Sequence, residues 1–331
     1  MKLNPNSWAV LTKDADHCYV GLGASTWRAK PSDLCFYLPD FFLKHPAPYL
    51  HFEQIAIVPK LKLLELLPDG EPVKHSWEEN GRPAFKEAFA SLNHLKKVVP
   101  YIGFHSSQPQ EPFSLLKSAL RYHLNHPHTT LYGFWDGKEG MIGATPEKLF
   151  IKNQEQLQSE AVAGTLPVAQ KAQLLGDPKL LFEHQLVIEG IRESLKPLAQ
   201  LTAGATTIKD YGPLSHLVTP LSAHLSNEYS IETLVQALHP TPALGAHPKD
   251  SGRKWLEDYA KSVPRLRYGA PCGIIDHSNA KLYVAIRNVQ LYENQSTIFA
   301  GCGIVQGSDL TKELQEIQLK FKSIQAILNS P

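Results

Sequence analysis

The 331-residue sequence is 43% hydrophobic and 20% charged, and its 33 basic and 32 acidic residues leave a formal charge of +1. Such a balance lacks the basic excess of nucleic-acid-binding chains, and the length suits one large globular domain or two intimate ones. No uninterrupted apolar run approaches the ~20 residues that span a bilayer. The four cysteines, Cys18, Cys35, Cys272 and Cys302, are scattered without a CxxC pair, so they read as reduced thiols rather than as disulfides or a zinc site. Residues 1–10 carry neither the basic nor the apolar segment of a signal peptide. A cytoplasmic protein with no membrane contact is expected.

Along the chain, Leu34–Leu38 and Ile55–Val58 read as strands and Arg82–Leu95 as a helix. Leu131–Trp135 and Gly140–Gly143 form a predicted hairpin around Asp136-Gly137. Asp177–Lys196 has Leu180, Val187, Ile191 and Leu195 at helical spacing. Asp177-Pro178 supplies a cap followed by a first-turn proline, and Pro197 stops the helix. Tyr229–Leu238 and Arg253–Tyr259 are further helices. Three strands are then predicted, Tyr268–Ile275, Ala280–Leu291 and Ser296–Ile304, with turns at His277-Ser278-Asn279 and Glu293-Asn294. A last helix starts near Ser308-Asp309 and runs to about Leu328, its apolar face formed by Leu310, Leu314, Ile317, Phe321, Ile324 and Leu328. Strands and helices come in runs, which points to an α+β fold.

Several side chains could carry chemistry. Glu313 and Glu316 are three apart on the last helix and project from one face beside Leu314 and Ile317. Taken alone, that spacing fits a solvated helix face. The preceding glycine-rich stretch, Gly301-Cys302-Gly303 and then Gly307, lets backbone approach a ligand closely. Glu183 lies on the long helix. If it converges with Glu316, the repulsion of two carboxylates calls for a hard cation such as Mg2+. His184 beside it reads as a core or supporting residue rather than a ligand. Gly143-Ala144-Thr145-Pro146-Glu147 ends a strand on a carboxylate, and Leu238-His239-Pro240-Thr241-Pro242-Ala243 is a loop stiffened by two prolines.

Taken in order, these segments resemble the chorismate-utilising family, which includes isochorismate, salicylate, anthranilate and aminodeoxychorismate synthases. The matching stretches are GATPEKLF (143–150), SEAVAGTLP (159–167), FEHQLVIEGI (182–191), LSHLVTPL (214–221), LHPTPALG (238–245), YGAPCGIID (268–276), AIRNV (285–289), AGCGIVQGSD (300–309) and KELQEIQLK (312–320). The resemblance implies a single large domain of two stacked antiparallel sheets with outer helices. Residues 1–95 would form a shortened N-terminal part of that fold and residues 96–331 the continuous chorismate-binding region.

Carried over residue by residue, the resemblance gives Glu183 and Glu316 the magnesium ion, with Glu313 supporting its water shell. Arg287 and the backbone at Gly301 and Gly303 receive the enolpyruvyl carboxylate. Thr165, His216, Tyr268 and Lys320 make further substrate contacts. Glu147 becomes the general acid for the departing C4 hydroxyl, and Lys97 the base that activates water for attack at C2. The loop His239–Ala243 and Gly307-Ser308-Asp309 are similar to the isochorismate synthase branch. That branch implies an isomerase, a monomer without a glutaminase partner, whose product feeds menaquinone or siderophore synthesis. Salicylate synthase, an aminating subunit and a non-catalytic chorismate binder are the alternatives. Two positions depart from the pattern: Pro100 follows the lysine motif and is expected to interrupt its strand, and Leu180 stands where relatives often carry a polar residue.

Overall fold

A computed structural model describes residues 2–69, 76–108, 110–293 and 295–330. Its helices are α1 (Lys60–Leu66), α2 (Arg82–Glu87), α3 (Pro112–Asn125), α4 (Pro178–Leu195), α5 (Ile231–Leu238), α6 (Lys249–Ser262) and α7 (Leu310–Leu328). A 3-10 turn over Ala88–Asn93 extends α2, so the segment predicted as one helix tightens halfway. Local chemistry sets the helix starts. The Asp177 carboxylate accepts from the Lys179 and Leu180 amides with Pro178 in the first turn, and Asp309 caps α7 through the Lys312 amide. Among the described residues no helix is long and apolar enough to cross a membrane.

Among the described residues, seventeen strands hydrogen-bond edge to edge into one antiparallel sheet, and three short ones form a second. The large sheet curls so that its two halves face each other, giving the expected layered α+β fold. Strand Trp8–Thr12 shows how: Trp8 and Val10 pack with Leu116, Leu120, Ile317 and Ile324 under α3 and α7, whereas Ala9 and Leu11 pack inward with Phe36, Phe134 and Ile274. The period-2 alternation of a strand thus fills the space between the halves and the space beneath the outer helices. On the other half, Val187, Ile188, Ile191 and Leu195 of α4 cover Leu157, Ala161, Leu221 and Ala223. Phe321 of α7 stacks on Phe104 with ring centroids 4.0 Å apart and planes at 20°. Burying a side chain of this size stabilises the fold by roughly 1.5–3 kcal/mol.

Two expectations about strands need correction. The segment predicted as one strand over Ala280–Leu291 is two, Asn279–Val284 and Asn288–Tyr292. The first pairs with Lys148–Asn153 and Pro271–Asp276, the second with Glu139–Thr145 and Gln295–Gly301. The chain therefore changes halves at Ala285-Ile286-Arg287, and Arg287 takes a left-handed φ of 57° at the crossing. An apolar run does not reveal such a change of partner. The strand predicted to reach Ile304 ends at Gly301, and Ile304–Val305 joins the small sheet. The hairpin at Asp136-Gly137 forms as expected. Of the turn expected at Glu293-Asn294, Glu293 has a φ of 51° and Asn294 lies outside the described residues.

The small sheet is what positions Lys97. Lys97–Val98 lies between Ala246–His247 and Ile304–Val305, pairing with both. Pro100 falls in the gap between this strand and Tyr101–Ser106, where no ladder amide is required of it, and its carbonyl accepts from the Cys302 amide at 3.3 Å.

Candidate active site

One cavity gathers most of the chemistry-bearing residues singled out in the sequence. Lys97, Glu147, Thr165, Glu183, His216, Tyr268, Arg287, Gly301, Gly303 and Lys320 all line it. Glu313 and Glu316 are not on its wall; they lie on α7 and reach the site through lysines.

Different elements deliver each group. Glu147 sits in the tight turn between strands Glu139–Thr145 and Lys148–Asn153, not in a helix, and its amide donates to Thr145 Oγ1 at 3.1 Å. Its side chain is buried, which pushes the carboxyl pKa up to about 7, opposed by Lys97, Lys320, the neighbouring Thr241 hydroxyl and Arg287. Thr165 follows a bulge at Gly164, whose φ of 66° turns the strand, and stands directly across from His216. The Thr165 hydroxyl meets His216 Nδ1 at 3.1 Å, and His216 Nε2 is buried with no partner among the described residues. Burial, with Arg287 and Lys320 adding to it, drives the His216 pKa well below its ordinary value, so the ring is neutral. Arg287 Nη1 donates to Ser323 Oγ at 2.6 Å, which ties the guanidinium to α7.

The lysines and acids form a charged network. Lys97 Nζ is 3.0 Å from Glu183 Oε1, with only 1% and 8% of the two side chains exposed. Lys179 Nζ lies 2.7 Å from Glu313 Oε1 and 3.7 Å from Glu183 Oε2. Lys320 Nζ lies 2.7 Å from Glu316 Oε1 and donates to the Gly301 carbonyl at 2.7 Å. Burial alone would raise the Glu183 pKa, but Lys97 and Lys179 hold it below the usual carboxylate range. Burial and the Glu316 charge raise Glu313. His184 is buried and meets Thr219 Oγ1 through Nε2 at 2.7 Å, the supporting place expected of it.

Gly303 is the residue that lets this network close. A Cβ there would stand 2.2 Å from Glu183 Oε1 and 2.6 Å from Lys97 Cε. Gly303→Ala is expected to push this buried pair apart, cost about 1–3 kcal/mol of stability and abolish site function. Thermal unfolding together with a turnover assay checks both.

As for a metal, the donors that α4 and α7 offer are all carboxylate oxygens, which suit a hard divalent ion. Among the described residues no three acidic, histidine or cysteine side chains converge closely enough to cage one. Yet the Lys179 ammonium, lodged between Glu183 and Glu313, marks a cation position, so the residues fit a cation there.

Three residues at the site went unnoticed in the sequence. Thr241 lies beside Glu147, in a loop whose sequence signals only stiffness. Lys179 stands four before Glu183 on α4, a spacing that would have flagged it. Arg265 is buried beneath Tyr268, its guanidinium 3.2 Å from the Phe41 ring centroid and its Nε donating to the Tyr268 carbonyl at 3.0 Å. No sequence signal marks Arg265.

Residues 59–329 match the family described as "Chorismate binding enzyme". The chain is 32% identical over 231 residues to the salicylate biosynthesis isochorismate synthase of Pseudomonas aeruginosa, a match covering 66% of this chain and 48% of that protein. It is 30% identical over 267 residues to isochorismate synthase MenF of Pasteurella multocida, covering 76% and 60%. The matches thus span about half the length of these relatives. In fold, the chain resembles MenF, the menaquinone-specific isochorismate synthase from Escherichia coli, with a TM-score of 0.83 at 19% identity, covering 99% and 90% of the two chains. Anthranilate synthase component I from Streptococcus pneumoniae gives 0.74 at 16% identity, covering 98% and 91%.

Proposed function

The chain belongs to the chorismate-binding enzyme family, and on that premise we propose that it is an isochorismate synthase, an isomerase that exchanges the C4 hydroxyl of chorismate for one at C2. The observation that carries this reading is the meeting of Lys97 and Glu147 in one cavity, with the Glu147 pKa near 7. Leaving hydroxide is a poor group, so a carboxyl that stays protonated near neutral pH lowers the barrier by giving its proton to the departing oxygen. Lys97, on the wall of the same cavity, is the base toward the water that attacks C2. The ring double bonds shift between these two events, and no redox change is needed.

The remaining groups bind and orient. Arg287 is a planar, double-donor partner for the enolpyruvyl carboxylate, and Lys320, Tyr268 and Thr165 border the same space. Neutral His216 offers its unpartnered Nε2 to the substrate. A magnesium ion would be held by Glu183 and Glu316, with Glu313 supporting its waters. When bound, it would neutralise the ring carboxylate and fix its orientation.

Incubation of the protein with chorismate, with and without Mg2+, tests the reading when products are separated and identified by mass. Isochorismate formed only with Mg2+ is expected. Salicylate with pyruvate, or anthranilate on adding ammonia, would replace this reaction with another of the family. No conversion by folded protein would leave a chorismate-binding role.

A further inference from the structure

Each acid assigned to the cation already carries a lysine, but the three lysines are not equivalent. Lys97 is fixed by the small sheet and only 1% exposed, and Lys320 is tied to the Gly301 carbonyl as well as to Glu316. Lys179 alone bridges two of the carboxylates, Glu313 at 2.7 Å and Glu183 at 3.7 Å. It projects from the first turn of α4 and keeps 22% of its side chain exposed, so a path to solvent is open to it. Its ammonium thus lies between Glu183, assigned to the cation, and Glu313, assigned to the cation's waters.

We propose that Lys179 is an internal counter-ion that competes with the divalent cation, bridging Glu183 and Glu313 when the ion is absent and swinging outward when it binds. This rests on the cation reading given above. Two like charges cannot share that space, whereas the acids left without either cation would repel one another within a buried network. The lysine thus keeps the site assembled without metal and, by the same contacts, weakens metal binding. The coupling is reciprocal: whatever the ammonium contributes to the empty site is subtracted from the affinity of the ion.

The test is direct titration of the whole protein with Mn2+, followed by electron paramagnetic resonance, and with Mg2+ by calorimetry. Lys179→Met is expected to bind either ion more tightly by on the order of tenfold, and to melt at a lower temperature than the parent without metal but not with it. Lys179→Arg, which keeps the charge, is expected to bind no more tightly than the parent. Equal or weaker binding by Lys179→Met, with the parent binding normally, would overturn the competition while leaving the cation site in place. Absence of binding in the parent and in both variants would overturn the cation reading and this inference together. If Lys179→Met does not fold, Lys179→Gln carries the same comparison.

Discussion

Glu147→Gln is expected to lower chorismate turnover by about 10²–10⁴-fold, the usual contribution of a positioned general acid, with little change in substrate affinity. Glutamine keeps the shape but has no acidic proton to give. The parent should show a pH profile that falls as pH rises through about 7, because the carboxyl is protonated below that value and spent above it. The residual activity of the variant should lack this limb. Stability separates this from a folding defect. The Glu147 pKa is raised on folding, so the parent loses stability as pH climbs from 4.5 to about 7, where the unfolded chain has released the proton and the folded chain has not. The glutamine variant lacks that loss and should melt no lower than the parent at pH 8. A variant with full activity and an unchanged profile would remove Glu147 from the reaction.

Lys97→Ala is expected to abolish turnover and to destabilise the protein as well. Its ammonium is the 3.0 Å partner of Glu183 in a buried setting. Removing one member of such a pair typically costs about 3–5 kcal/mol. Lys179, 3.7 Å from the other oxygen of Glu183, should hold the cost toward the lower end of that range. Denaturant melts followed by activity at a temperature where the variant is folded distinguish the two effects. Loss of stability with retained turnover would make Lys97 a structural counter-ion and nothing more.

Much of the local structure is legible in the sequence because local chemistry decides it. Asp177-Pro178 and Ser308-Asp309 mark where helices begin, and Asp136-Gly137 marks a hairpin, since caps and turns depend on a few adjacent residues. Strand partners are another matter. Nothing in Ala280–Leu291 says that the chain changes from one half of the sheet to the other at Arg287, because one partner of each of its two strands lies more than a hundred positions away. That crossing is also what aims Arg287 at the cavity. The same limit explains the network of charges. Glu183 and Glu316 can be read as acids in want of a cation, but that Lys97 and Lys320 supply it emerges only when α4, α7 and the small sheet come together. Pro100 marks a break that is there, but the break falls after Lys97–Val98 has ended and before Tyr101–Ser106 begins.

The most direct measurement is the reaction of chorismate in 18O-enriched water with Mg2+ present, the product being isolated and weighed by mass spectrometry. Attack of water at C2 with loss of the C4 hydroxyl predicts isochorismate carrying one heavy oxygen from solvent. Isochorismate without solvent oxygen, or no isochorismate at all from folded, metal-supplied protein, would contradict it.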